Sequence, residues 1–414
     1  MNETGLIGAI RQKDFSKVEE LIKTDPGAFK ELKNYEKESL IQAALRCKAF
    51  SLLTALADAG LLTTDLLELD RWMGSDIYHI LLHIPFVKTG NSIRNPRATH
   101  TVDDPEALDP ESLAFFRSFA GRIENIDEPV ENQTLLEFAI SQNLPVPVLQ
   151  VMVDHGCPTD GYDHSENTLL FRRLTPQVGH WLVEQGLDVN HKNKGHITPL
   201  EKAIDTGNGE LVKTLLDNGA DIHHTDKDGN SMFRFALVDK VNYELFDILC
   251  EYDTPDFHRT NHTGSSLLFD YIDRLYGGEK QLAYLEKLLE MGADLQQVNT
   301  TVYGKEKTAL DLAVTKDAVV FETVLNHYTA GINQTDNNGD TLLHKVCADE
   351  LNYDQNKARE LYRKAKLLLG KGADPSIRNS QDKTAADLAA NDNLKEKTVA
   401  LLLKHEVGKN DHMQ

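Results

Sequence analysis

The sequence predicts an all-α protein, a solenoid of about ten or eleven helix-turn-helix repeats with projecting β-hairpin-like loops. Short words recur along the chain, since GADIHHTDKDGN at 219–230 is followed by the similar GADLQQV at 292–298 and GADPSIRN at 372–379. A threonine-like position also returns, mostly at intervals close to about 33 residues. It falls at Ser39, Asp76, Thr134, Thr168, Thr198, Ser231, Ser266, Thr308, Thr341 and Thr384.

Each repeat is predicted to open with a short amphipathic helix, as the segment from residue 198 illustrates. The hydroxyl of Thr198 can accept a hydrogen bond from an unpaired backbone N–H at the helix start. Pro199 suits the first helical position, because the N–H that proline lacks has no partner there. Leu200, Ala203 and Ile204 follow at the i, i+3, i+4 spacing of one apolar stripe.

A second helix and a tight turn are predicted to complete the repeat. Leu211, Leu215 and Leu216 form the apolar stripe of the second helix. Gly219 ends it, because the residue after a helix often takes a left-handed conformation. The following Asp-x-x-Gly segment, which ends at Gly229, supplies side-chain hydrogen bonds and a positive φ for a turn.

The same stretch, LVKTLLDNGADIHHTDKDGN at 211–230, contains enough histidine and aspartate to suggest a metal site. A calcium loop with Gly229 at its sixth position would place His224 first and Phe235 twelfth, where a carboxylate is needed. His223 and His224 are consecutive, so an ordinary backbone would not aim both at one zinc ion. We therefore expect turn chemistry here, with no metal and no cofactor.

The words TPLEKA at 198–203, TALDLA at 308–313, TLLHKV at 341–346 and GADIHHTDKDG at 219–229 share one register and resemble the ankyrin repeat. The resemblance extends from about residue 5 to residue 405 and implies helix pairs stacked along one axis. It also implies a non-catalytic scaffold that binds another protein on its concave face and hairpin tips.

Repeat regularity divides the chain into predicted segments. Residues 1–33 are predicted to form an N-terminal capping repeat, and 34–163 degenerate repeats with a long insertion at 84–110. Residues 164–405 are predicted to form a regular array, followed by a polar tail at 406–414. Long loops are commonly either functional or disordered, and no residue of the insertion decides between these.

Composition narrows the classes of partner. Lys and Arg number 44 against 65 Asp and Glu, a net charge of −21 that would repel nucleic acid and anionic membrane surfaces. No apolar run approaches the length of a membrane span, and the N-terminus lacks a signal-peptide pattern. Cys47, Cys157, Cys250 and Cys347 are far apart and form no C-x-x-C pair. We expect a cytoplasmic monomer with reduced cysteines and no membrane insertion.

The predicted contacts with a protein partner are the residues that the repeat does not need for its own fold. The tip candidates are His191, Lys192, Lys194, His224, Lys227, Asp228, Phe257, His258, Arg259, His262, Tyr303, Asn337, Asn338 and Asp340. The candidates on the inner helix face are Lys202, Arg234, Phe235, Asp270, Tyr271 and Lys345.

Several functional possibilities stay open from the sequence. An enzyme with a cryptic Cys/His site is one, although no motif surrounds a nucleophile. LVEQGLDVN at 182–190 is similar to the Leu-x5-Asp-Val-Asn pattern that an asparaginyl hydroxylase accepts in ankyrin repeats, so Asn190 is a modification candidate. Degenerate repeats and strong acidity resemble the ankyrin effectors that intracellular bacteria deliver into host cells without a conventional signal peptide. An endogenous cytosolic adaptor is the other possibility.

Overall fold

The computed structural model describes residues 5–87, 108–300 and 304–411. The chain divides into two compact units, Met1–Asp221 and Ile222–Gln414. This division falls within the predicted regular array. The finer segments that were inferred from repeat regularity stay predictions.

The first unit consists of short helices joined by turns. Its α-helices are Leu6–Gln12, Phe15–Thr24, Pro26–Lys30, Asn34–Arg46, Phe50–Asp58, Asp76–His83, Pro110–Ala120, Leu135–Ser141, Val146–Asp154, Pro176–Glu184, Pro199–Thr206 and Gly209–Asp217. Short 3₁₀ turns cover Leu66–Glu68 and Leu169–Phe171.

The second unit continues the alternation of short helices. Its α-helices are Met232–Arg234, Tyr243–Tyr252, Leu267–Asp273, Glu279–Glu290, Ala309–Thr315, Ala318–His327, Leu342–Ala348, Gln355–Gly370, Ala385–Ala389 and Glu396–Asp411, with a π turn at Phe235–Asp239 and a 3₁₀ turn at Asn393–Lys395. Strands Val298–Thr300 and Glu306–Thr308 pair antiparallel, with Asn299 opposite Lys307. None of the described helices is both long and apolar enough to span a bilayer.

Helices of the second unit form two layers, because each helix packs against its equivalent in the next repeat. The first layer comprises Leu267–Asp273, Ala309–Thr315, Leu342–Ala348 and Ala385–Ala389. The second layer comprises Glu279–Glu290, Ala318–His327, Gln355–Gly370 and Glu396–Asp411. Phe321 and Val346 are fully buried within this unit. Burying one such side chain contributes about 1.5–3 kcal/mol, so the stacking of repeats provides the core.

Hydroxyl caps begin most first helices of the regular repeats, as predicted. Thr168 is the exception, because its hydroxyl makes no cap hydrogen bond and a 3₁₀ turn follows it. Thr198 Oγ1 accepts the backbone N–H of Glu201 at 3.2 Å. At Thr384 the cap is reciprocal, since the Asp387 carboxylate accepts the Thr384 N–H at 2.9 Å. A cap of this kind contributes about 1 kcal/mol, which matters for helices of only two turns.

Two of the predicted threonine-like positions were wrong. Ser39 lies inside the helix Asn34–Arg46. Ser75 caps the helix Asp76–His83, because its Oγ accepts the Tyr78 N–H at 3.1 Å. Both errors fall where the repeat words are weakest, so the register had to be extrapolated.

Lysine side chains donate hydrogen bonds to carbonyls at the C-terminal end of the first helix in the preceding repeat. Lys395 Nζ donates to the Cys347 carbonyl at 2.8 Å, near the end of Leu342–Ala348. Lys364 is 2% exposed and donates to two carbonyls at the end of Ala309–Thr315. Burial lowers the pKa of Lys364. Because the last carbonyls of a helix have no partner inside it, these lysines join neighbouring repeats.

The insertion predicted at 84–110 is described only at its base. Val87 pairs with Leu108 as an antiparallel bridge, and the Asp109 N–H donates to the Phe86 carbonyl at 2.7 Å. Lys48 Nζ lies 2.6 Å from the Asp109 carboxylate. Residues 88–107 lie outside the described residues. The predicted polar tail starts as helix, which extends to Asp411.

An ion triad joins two helices and a turn in the second unit. Lys345 Nζ lies 2.8 Å from Asp311 Oδ1 and 3.1 Å from Asp336 Oδ2. Burial acts to raise the pKa of both aspartates, but hydrogen bonds, including those from Lys345, outweigh it and hold both pKa values below the usual range. Lys345 was predicted to contact a partner, and the structure places it in this internal triad.

Substituting Gly339 by alanine should destabilise the array. Gly339 has φ +75°, and a Cβ there would lie 2.8 Å from the backbone nitrogen of Ser380 in the next loop. We expect Gly339→Ala to lower the free energy of unfolding by about 1–3 kcal/mol in denaturant titration. Gly331→Ala is the control, because no atom lies within 4 Å of its built Cβ. Equal losses in the two variants would contradict this account.

Substituting Lys345 by methionine should reduce stability in a pH-dependent way. We expect a loss of about 1.5–3 kcal/mol at neutral pH, because two carboxylates lose a charged hydrogen-bond donor. Depressed aspartate pKa values contribute stability above the unfolded-state pKa of about 4, and this is lost as pH falls through the folded-state values. The gap between the wild type and Lys345→Met should therefore narrow as pH falls below about 4. Denaturant titration from pH 3 to 8 measures it, with exposed Lys366→Met as control.

Candidate protein-binding surface

The hairpin loops are built on aspartate turns. Asp226 Oδ1 accepts the backbone N–H groups of Asp228 at 2.9 Å and Asn230 at 2.8 Å. Asp336 Oδ1 likewise accepts the Asn338 N–H at 2.8 Å. Asp226, one of the aspartates that suggested a metal site, is thus used by its own turn. Across residues 5–87, 108–300 and 304–411, no three His, Cys, Asp or Glu side chains are grouped to hold a metal ion.

Side-chain amides join neighbouring turns. The joined pairs are Asn193 with Asn167 at 2.7 Å, Asn261 with Asn230 at 3.0 Å, and Asn379 with Asp340 at 2.8 Å. A backbone bond accompanies the second pair, since the His262 N–H donates to the Asp228 carbonyl at 2.9 Å. These bonds fix the spacing of adjacent hairpins. The sequence prediction missed the asparagines, because each pairs with a residue one repeat away.

The tip of the first unit contains three of the predicted contacts. His191 is half-buried, stacked on Tyr162 with ring centroids 5.0 Å apart, and its Nε2 lies 2.6 Å from the Glu166 carbonyl oxygen. Lys194 Nζ donates to a carbonyl of the preceding turn at 2.7 Å. Lys192 is exposed.

Several predicted tip residues of the second unit are exposed. They are Lys227, Asp228, His258, Arg259 and His262 in two adjacent loops, and Asn337 and Asn338 in a later loop. Asp340 is half-buried and accepts the amide of Asn379. Tyr303 lies outside the described residues. The exposed set in the two adjacent loops combines cationic and imidazole side chains with one aspartate.

Four of the predicted contacts are buried, which corrects the sequence analysis. His224, Arg234, Phe257 and Tyr271 are less than a tenth exposed. Phe257 follows aspartate at the repeat position where Val189 is also buried. The Tyr271 hydroxyl donates to the Gln281 carbonyl at 2.9 Å, and burial raises the pKa of Tyr271. These four side chains belong to the folded interior, and an aromatic or charged residue type alone did not reveal their burial.

Arg234 is the centre of a charged cluster on the inner helices of the second unit. Its Nη1 lies 2.6 Å from Asp239 Oδ2, and its Nε lies 2.7 Å from Asp270 Oδ2. Arg274 Nη1 lies 3.2 Å from the other oxygen of Asp239. Burial raises the pKa of Asp270, although the Arg234 guanidinium opposes the rise. The sequence prediction missed Asp239 and Arg274, which make this a closed structural network.

The remaining candidates of the inner face are partly engaged. Lys202 Nζ lies 2.9 Å from Asp205 Oδ2. Phe235 is half-buried, with Lys240 Nζ 5.1 Å from its ring centroid. Arg234 and Arg259 both line one small pocket beside the turns, so the structure brings an inner-face and a tip candidate together.

Asn190 has a structural role in the first unit. Its Nδ2 donates to the Gly219 carbonyl at 2.9 Å, and its Oδ1 accepts the Asp221 N–H at 2.8 Å. In the second unit Asn333 makes the equivalent pair of bonds across one repeat, to the Gly372 carbonyl and the residue two positions beyond it. Both ends of the Asn190 amide are therefore occupied in the folded chain.

Comparison with known proteins supports a single family. Residues 182–236 match the family described as "Ankyrin repeats (many copies)". An ankyrin repeat protein of Rickettsia bellii is 26% identical over 33% of this chain and 50% of its own length. Phosphocholine transferase AnkX of Legionella pneumophila is 26% identical over 50% of this chain and 22% of its own length, so this chain spans half or less of either relative. An ankyrin repeat protein of Acanthamoeba polyphaga mimivirus is 30% identical, with 81% of its length covered by 28% of this chain. The chain belongs to the ankyrin-repeat family.

Proposed function

We propose that the chain is a non-catalytic scaffold that binds a partner protein through its hairpin tips and inner helix face. The observation that supports this proposal is that the residues that order the turns differ from those that the turns expose. Aspartate and asparagine side chains are bonded inside the loops, whereas Lys192, Lys227, His258 and His262 are exposed. Because the backbone is already ordered, binding would require little further loss of conformational entropy.

An enzyme with a cryptic Cys/His site is the alternative of a different class. A catalytic cysteine needs a lowered pKa so that its thiolate is available. Burial instead raises the pKa of Cys157 and Cys347 to about 12 and the pKa of Cys250 to about 11. These three thiols therefore suit packing rather than nucleophilic attack.

We further propose that the chain is a bacterial ankyrin effector that acts in the host cytoplasm, with an endogenous cytosolic adaptor as the alternative. Similarity to proteins of Rickettsia bellii and Legionella pneumophila supports the effector hypothesis. About a fifth of AnkX is covered, so phosphocholine transfer is not proposed for this chain. Asn190 remains a candidate for hydroxylation, and a host enzyme would first have to release its amide from the Gly219 and Asp221 backbone.

Reversing charges at the tips should weaken partner binding without unfolding the protein. Lys192→Glu, Lys227→Glu and Arg259→Glu are combined, because all three side chains are exposed. We expect at least a tenfold drop in partner captured from host cytosol, and a melting temperature within about 2 °C of the wild type. The control, Lys30→Glu with Lys366→Glu and Lys404→Glu, makes the same charge change at exposed positions elsewhere. Equal capture by the two variants would contradict the proposed tip surface.

Delivery into host cells should separate the effector from the adaptor hypothesis. A reporter fused to the chain is expressed in an intracellular bacterium, with and without residues 406–414. We expect reporter signal in the host cytosol for the full chain and its loss for the deletion. The deletion variant should retain the wild-type melting temperature and partner capture. Absence of signal from the full chain would favour the adaptor.

A further inference from the structure

The second unit exposes a large apolar side chain at a similar place in four consecutive repeats. Val241 is 55% exposed, Tyr276 91%, Val319 51% and Tyr353 97%. Each lies in the short connection between the two helices of its repeat, or in the first turn of the second helix. These four residues are called the loop edge below.

Contacts between neighbouring repeats keep the successive connections on one side of the unit. Arg274 Nη1 donates to the Val238 carbonyl at 2.9 Å, and the Ala318 N–H donates to Glu360 Oε2 at 2.8 Å. Gly277 lies against the Asp317 carboxylate, since a Cβ at residue 277 would be 2.6 Å from Oδ2. Each contact joins a connection to the repeat before or after it. The four apolar side chains therefore follow one another through space as they do in sequence.

Two of the four are held in a backbone conformation that disfavours them. Val241 has φ +51° and Tyr353 has φ +64°, in the left-handed region where a β-branched residue is rare. Val241 directly precedes the capping residue Asn242, and the residue at that place in an earlier repeat is Gly207, which adopts the conformation without strain. An exposed valine in this strained conformation motivates a functional hypothesis for the loop edge.

The surroundings of the loop edge are acidic. Segments 239–244, 273–280, 315–322 and 348–357 contain nine acidic and five basic residues, a net charge of −4. Arg274 and Lys316 each also donate to a backbone carbonyl of a neighbouring repeat. Glu322 and Glu350 are exposed. An apolar partner segment that also carries basic residues would complement this edge.

The interval between the apolar side chains of the loop edge indicates which backbone conformation of the partner segment would match it. Packed helices lie about 8–10 Å apart, so neighbouring apolar side chains of the loop edge recur at about that interval. Seven residues of an α-helix advance about 10.5 Å and return to the same face. Three residues of a strand advance about 10 Å but end on the opposite face. A helix therefore matches the loop edge better than a strand.

We propose that the loop edge docks an amphipathic helix of a partner protein, with apolar side chains every seven residues and lysine or arginine beside them. This inference rests on the proposed role as a protein-binding scaffold and adds a second surface with its own ligand chemistry. Val241, Tyr276, Val319 and Tyr353 would supply the apolar contacts, and Glu322 and Glu350 the acidic ones.

Designed peptides test the proposal. The probe is a fluorescein-labelled 22-residue helix with leucine at positions 1, 8, 15 and 22 in an alanine and lysine background, and its scrambled isomer is the comparison. Anisotropy titration should show binding of the seven-residue repeat at least tenfold tighter than the scrambled peptide. Tyr276→Asn with Tyr353→Asn should weaken binding at least tenfold, since asparagine removes the apolar ring but tolerates a positive φ. Glu322→Gln with Glu350→Gln should weaken it less and flatten its salt dependence.

Matched controls make each outcome decisive. Tyr35→Asn with Met73→Asn removes two exposed apolar side chains of the first unit and should leave binding and melting temperature unchanged. Equal binding of both peptides, or equal binding by the loop-edge and control variants, would overturn the proposal. Self-association of the chain that Tyr276→Asn with Tyr353→Asn abolishes in sedimentation would also overturn it, because a second copy would be the occupant. The tip charge-reversal variant should still bind the peptide, so failure of the tip surface and failure of the loop edge are distinguishable.

Discussion

The fold depends on each repeat satisfying polar backbone groups of its neighbour. Helices of about two turns leave a large share of their N–H and C=O groups without an internal partner. Here the starts of most first helices are capped by hydroxyls of the same repeat, whereas ends such as those at Val314 and Cys347 are capped by lysines of the following one. Asparagine bridges do the same for the turns. Apolar stacking provides most of the stabilisation, but these directional bonds fix the register in which the repeats stack.

This arrangement explains how a surface rich in charge can be rigid. Residues that order the loops, such as Asp226 and Asn261, are distinct from those that the loops present, such as Lys227 and His262. The presented residues can therefore change without loss of the turn. A partner would meet side chains on a backbone that is already ordered, which favours affinity because less conformational entropy is lost on binding.

Most of the fold could be predicted from the sequence, because capping, turn and stripe residues act locally. Thr198, Thr341 and Thr384 cap helices where the repeat words predicted caps. The candidate site was harder, because exposure depends on neighbours that are about one repeat away. Lys345 and Arg234 looked like spare charges in sequence, yet both are paired with aspartates of neighbouring elements. Phe257 could have been recognised as core by aligning it with Val189, whereas no local pattern reveals the Asp239 and Arg274 partners.

The bridge between Val87 and Leu108 has a consequence for how this chain can vary. It joins the two ends of a 20-residue segment beside the flanking helices. The entropy of closing a loop grows only with the logarithm of its length, about 0.6 kcal/mol for each doubling. The number of residues between the two bridged positions could therefore change at small thermodynamic cost.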